Sequence, residues 1–175
     1  HLSVLIKDCL SQVEIRKELV KLKSNRSSEI IGKSKAIEKI KEEINNAAMH
    51  NMPVLLQGET GTGKTFIASL IHSLSKRSSG KLVKFQPSFC SSDLILSELF
   101  GHEKGAFTGA TNKRQGLIKE ANGGTFFLDE IGELPLSSQI ILLDVIQNKN
   151  FRSLGSNENQ EIDFRFVSAT NADIH

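Results

Sequence analysis

Gly58-Glu59-Thr60-Gly61-Thr62-Gly63-Lys64-Thr65 is the stretch that decides the fold. It follows the short apolar run Val54-Leu55-Leu56, and a helix is expected to begin at Lys64, so the octapeptide joins a strand to a helix. Its pattern is glycine, four residues, then Gly-Lys-Ser/Thr. Glycines let backbone N–H groups turn inward around a phosphate, and the N-terminus of the following helix adds a favourable dipole. Gly58, Glu59, Thr60, Gly61, Thr62 and Gly63 are therefore expected to form a phosphate cradle. Lys64 is expected to contact the β and γ phosphates, and Thr65 to hold Mg²⁺ through its hydroxyl.

Such a site needs a carboxylate on the metal side. The buried strand expected at Thr125-Phe126-Phe127-Leu128 ends in Asp129 and Glu130. Asp129 is the expected metal-side acid, and Glu130 is placed to polarise an attacking water as general base. Asp129 follows Lys64 by 65 positions, which leaves room for a complete strand and helix between the two motif strands. That insertion, with a glutamate beside the aspartate, favours the ATP-hydrolysing branch of phosphate-loop proteins over the GTP switches. Further on, Ala169-Thr170-Asn171 closes another expected strand, where the polar Asn171 side chain is a candidate sensor of the γ phosphate.

Around these motifs, helical and strand-like segments alternate. Helices are expected at residues 34–49, from 64, at 93–100 and at 136–147, and strands at 54–56, 82–85, 125–128 and 164–169. Strands separated by helices imply an α/β fold with a parallel sheet flanked by helices on both faces. Upstream, Leu2, Leu5, Ile6, Cys9, Leu10 and Val13 recur at helical spacing. Packing on the same domain and pairing with a second copy are both open for this stripe, which is too short for a coiled coil. Lys23-Ser-Asn-Arg-Ser-Ser-Glu29 has no apolar residue and reads as a hinge. Residues 1–29 are thus expected to be a helical linker and hinge, and residues 30–175 the α/β domain.

Composition excludes several classes. The 22 basic and 20 acidic residues leave a formal charge of +2, so charge alone argues for neither a nucleic-acid nor a membrane partner. Cys9 and Cys90 lack metal-binding spacing and are expected to be reduced thiols of a cytoplasmic protein. No apolar run approaches the roughly 20 residues needed to span a bilayer. The chain starts at His1 and not at methionine, and is expected to be a piece of a longer protein.

The most specific segment is Gly105-Ala106-Phe107-Thr108-Gly109-Ala110, preceded by Glu98-Leu99-Phe100-Gly101-His102-Glu103-Lys104. Together with Ile31-Gly32-Lys33-Ser34, the phosphate loop, Gly123-Gly124 before the Asp129 strand, and Ala169-Thr170-Asn171, it resembles the sigma-54-dependent activators. These bacterial enhancer-binding proteins are AAA+ ATPases, and the resemblance covers residues 30–175. It implies that the hexapeptide is the tip of a loop that contacts sigma-54, and that ATP hydrolysis moves this loop to remodel sigma-54 RNA polymerase for open-complex formation. A phenylalanine between small residues would be a poor core residue, and burying one is worth about 1.5–3 kcal/mol, so its place on a loop tip suggests that it meets a partner. The resemblance also implies nucleotide contacts from Ile31, Gly32, Ala121, Asn122, Gly123 and Gly124, and a second pore loop at residues 148–159 with Arg152 and Gly155 near its turn. By the same resemblance the whole protein is expected to be a homo-oligomer, a hexamer, that binds DNA only through a domain outside this chain.

Three departures from the family pattern stand out. Thr65 replaces the glutamate that many relatives carry after the lysine, and strengthens the metal assignment. Gln86 stands where the family usually has an asparagine thought to restrain the catalytic glutamate. His175 falls before the family's arginine fingers, so this chain alone is expected to hydrolyse ATP very slowly, since such a residue contributes roughly 10³–10⁵ in rate. Two other classes compete: a regulator that keeps the site only as a switch, and an unfoldase or helicase loader. The intact hexapeptide and Glu130 argue against the first, and the second would carry an aromatic pore loop without the hexapeptide.

Overall fold

The computed structural model describes residues 30–87 and 92–172. The expected linker helix and hinge, Cys9, Cys90 and the end at His175 lie outside the described residues. Helix α1 (Lys35–Met49) starts at Ser34, whose Oγ accepts the Ile37 N–H at 3.3 Å and so satisfies one of the donors a helix start leaves free. Strand β1 (Val54–Gln57) runs into the phosphate loop and α2 (Lys64–Leu74). There follow β2 (Leu82–Phe85), α3 (Ser92–Phe100), the two-residue strands β3 (Gly101–His102) and β4 (Arg114–Gln115), and the single turn α4 (Leu117–Glu120). The chain continues with β5 (Thr125–Leu128), a 3-10 turn (Ile131–Glu133), α5 (Leu136–Asn148), β6 (Asn150–Phe151), β7 (Gln160–Glu161) and β8 (Arg165–Thr170).

The main sheet is parallel throughout, in the order β1-β8-β5-β2. Every residue of β5 and β8 is buried, as expected of central strands covered on both faces. Side chains alternate between those faces. Phe126, Leu128 and Phe166 join the core beneath α3, α4 and α5, with Ile95, Leu99, Ile118, Leu142 and Val145. Phe127, Val167 and Ala169 point the other way, against Ala68 of α2, and α1 packs on α2 beside them through Ile44, Ala48, Leu70 and Ile71. One charge interrupts this core. Arg165, only 1% exposed at the start of β8, donates from Nη2 to Ala47 O in the last turn of α1, a carbonyl end that favours a cation. Burial holds its pKa below the ordinary arginine value, with a smaller contribution from Arg77.

The sheet order has one decisive effect. Because the strands are parallel, their C-terminal ends open on the same edge, and β8 between β1 and β5 sets three of these ends side by side. The phosphate loop, Asp129 and Asn171 therefore converge although far apart in sequence. The same geometry bears on one expectation. Ala121, Asn122, Gly123 and Gly124 precede β5 and sit at the opposite edge, roughly 13 Å away at strand rise. Their glycines serve packing: a Cβ on Gly124 would collide with Lys81 O, and Gly123 has φ +73°. Asn122 Oδ1 accepts the Asp163 N–H at 3.0 Å, tying this turn to the approach of β8.

Candidate nucleotide site and its partner loop

Gly61 and Gly63 adopt φ of +86° and +88°, the left-handed region that favours glycine. No heavy atom lies within 4 Å of where their Cβ atoms would be, so the conformation requires glycine while the space over the loop stays open. Lys64 follows immediately and is only 8% exposed. Its Nζ donates to Gly58 O at 2.8 Å and Glu59 O at 3.2 Å, and pairs with Glu130 Oε1 at 3.2 Å. Thr65 Oγ1 donates to Asp129 Oδ2 at 2.9 Å.

Glu130 has φ +54°, rare for a residue with a side chain. This turn carries the carboxylate back over the sheet end, where Oε2 accepts the Asn171 N–H at 2.9 Å. Both carboxylate oxygens are thus engaged, one by the loop lysine and one by the end of β8. Gln86 is exposed at the end of β2, and among the described residues the partners of Glu130 are Lys64 and Asn171, not Gln86. Of the other expected nucleotide contacts, Gly32 O accepts from Lys41 Nζ at 3.1 Å at the entry to α1, and Ile31 stands 95% exposed. The donor set fits nucleotide with Mg²⁺: a hydroxyl and a carboxylate oxygen are hard ligands, and a glycine-rich loop at a helix N-terminus, backed by a lysine, suits phosphate.

The hexapeptide sits on a separate, smaller platform. β3 and β4 pair antiparallel, and Glu98 meets Arg114 at 2.6 Å across their base. Above it, Glu103 pairs with Lys113 at 2.7 Å, and this carboxylate holds the lysine pKa above its ordinary value. The tip closes on itself: Gly105 N–H donates to Ala110 O at 2.8 Å and Ala110 N–H to Phe107 O at 3.0 Å. The second loop, carried by the β6–β7 pair, docks on the first. Leu154 N–H donates to Gly101 O and Glu103 N–H to Leu154 O, each at 2.9 Å. Next to it Gly155 has φ +75°, and a Cβ there would lie 2.9 Å from Ala106 Cβ. This ladder is not legible in the sequence, because two-residue strands carry no periodicity to detect.

A parallel sheet whose strand ends gather a glycine-rich phosphate loop, a following lysine and threonine, and an Asp-Glu pair defines a P-loop nucleotide-binding protein. Residues 30–175 match the family described as the sigma-54 interaction domain, and the chain belongs to that family. It is 44% identical over 169 residues to the transcriptional regulator VasH of Vibrio cholerae serotype O1, covering 97% of this chain and 32% of VasH. The regulatory protein AtoC of Escherichia coli K12 is 39% identical over 179 residues, covering 99% of this chain and 39% of AtoC. Among solved structures, NtrX from Brucella abortus in complex with ATP superposes with a TM-score of 0.74 at 26% identity, covering 97% of this chain and 38% of that one. The chain therefore spans about a third of the length of these relatives, and its core is of the AAA+ type. No helix among the described residues is long and apolar enough to cross a membrane.

Proposed function

We propose that this domain binds and hydrolyses ATP with Mg²⁺ and uses the cycle to move the Phe107 loop against sigma-54 and its RNA polymerase. The observation that carries the reading is the contact of Lys64 with Glu130 at the mouth of the phosphate loop, because it joins the phosphate-binding cation to the carboxylate placed as general base. A bound Mg²⁺ would neutralise charge on the β and γ phosphate oxygens. Thr65 and Asp129 would hold it, while the loop from Gly58 to Gly63, through N–H groups not already paired within the domain, and Lys64 Nζ would bind the phosphates. To reach a γ phosphate, Lys64 gives up Glu130. The released carboxylate can then take a proton from water while Asn171 fixes its other oxygen. Asn171 is in this way a sensor through its main chain as well as its side chain, and Ile31 and Gly32 flank the bound nucleotide. Assembly as a hexamer, a cytoplasmic location, and DNA contact through a domain outside this chain belong to the same proposal.

The test separates binding, chemistry and movement. Lys64→Ala should weaken ATP binding by about 10- to 150-fold in titration calorimetry, the size of a lost hydrogen bond to a charged group. Glu130→Gln should keep binding but abolish phosphate release. Thr108→Ala in the longer protein should keep both and lose activation of a sigma-54 promoter. Full activation by the Thr108→Ala protein would refute the loop assignment.

A further inference from the structure

Phe107 is exposed but does not stand clear of the domain. Its ring leans back on His102, with centroids 5.0 Å apart and planes at 69°, an edge-to-face pair, and is 37% exposed. His102 is 9% exposed and cannot swing away freely: Ser97 Oγ, itself buried in α3, shares a 2.7 Å hydrogen bond with its Nδ1. The main chain on either side is pinned as well, by the pairing of His102 with Arg114 and its bridge to Leu154. A fixed imidazole thus sits under the one aromatic side chain of the hexapeptide, and the compact turn from Gly105 to Ala110 brings the two together.

We propose that His102 is a positioning residue that parks Phe107 against the domain, so that engaging the partner requires lifting the ring off the imidazole. This rests on the reading of the Phe107 loop as the sigma-54 contact, and adds to it a defined resting position. Parking competes with partner binding. Removing the imidazole therefore raises affinity for sigma-54 by about two- to tenfold, the worth of one aromatic pair.

The chain contains no tryptophan, so Phe107→Trp gives a single fluorescent reporter at the loop tip. Acrylamide quenching of that reporter should rise when His102→Ala is added. Sigma-54 binding by the His102→Ala chain with native Phe107 should tighten, with ATP affinity measured alongside to report an intact fold. If His102→Ala loses ATP binding, His102→Gln, which keeps a partner for Ser97 without the ring, carries the same comparison. Unchanged quenching would overturn the contact, and unchanged or weaker sigma-54 affinity would overturn the parking role. If no form binds sigma-54, the unsubstituted chain included, the partner reading falls and the parking role falls with it. The persisting quenching difference would identify that case.

Discussion

The nucleotide site and the partner loop are built from different amounts of sheet. The first hangs from three neighbouring parallel strands of four to six residues, two of them wholly buried and backed by helices on both faces. The second hangs from two pairs of two-residue strands joined through Leu154, with exposed ion pairs at its base and sides. Pairs of two-residue strands, held by few hydrogen bonds, open at low free-energy cost, whereas a packed central sheet opens only with the domain. On the proposed function, the chemistry is thus mounted on the rigid part and the partner contact on the part that can shift.

The sharpest way to break this contrast is in the core. Phe126→Ala removes a fully buried ring packed with Phe164 and Phe166, and should cost about 3–5 kcal/mol in urea denaturation. It should take ATP binding down with it. Gly155→Val forces a side chain into a left-handed conformation against Ala106, and should cost about 1–3 kcal/mol at most. Its effect should be local: hydrogen exchange should accelerate at the amides of Leu154 and Glu103 while those of β5 and β8 keep their protection. Accelerated exchange across β5 would show that the two regions are one cooperative unit.

The smallest expected effect concerns pH. His72 is buried in α2 beside the sheet, with Nδ1 2.9 Å from Thr125 Oγ1, and burial holds its pKa below 6.5 against an opposing hydrogen bond to the Gly80 backbone. The unfolded chain then binds the proton more readily than the folded one. The stability from neutral His72 is present above pH 6.5 and is lost as pH falls toward the lowered folded value. His72→Gln should therefore show a flatter change in urea midpoint between about pH 7.5 and 5.5 than the unsubstituted chain. An equal slope in both would remove His72 from the account.

The main sheet was legible because its strands are short apolar runs next to unmistakable punctuation. Val54-Leu55-Leu56 leads into glycines, and Thr125 to Leu128 ends in two acids, so strand identity and the positions of Lys64, Thr65, Asp129 and Glu130 followed from local chemistry. What sequence could not supply was distance. Gly123 and Gly124 adjoin the Asp129 strand in the chain, and contiguity suggested a shared site, but a strand separates its two ends and the glycines serve the far one. The resting partner of Glu130 was hidden for the opposite reason, since the Asn171 amide lies 41 positions away and donates from the backbone, which every residue type shares. The pairing of Phe107 with His102 likewise depends on a turn whose closure no residue pattern encodes.

Lys64 illustrates a last consequence, in ionic strength. Its ammonium is already withdrawn from water and coordinated by two carbonyls and a carboxylate before any phosphate arrives. Counter-ions have little access to a buried charge, while the exposed Lys113 and Arg114 beneath the partner loop sit within the reach of added salt. Raising the salt should therefore loosen the base of the partner loop well before it loosens the grip on nucleotide. The domain would then lose its hold on sigma-54 while still charged with ATP.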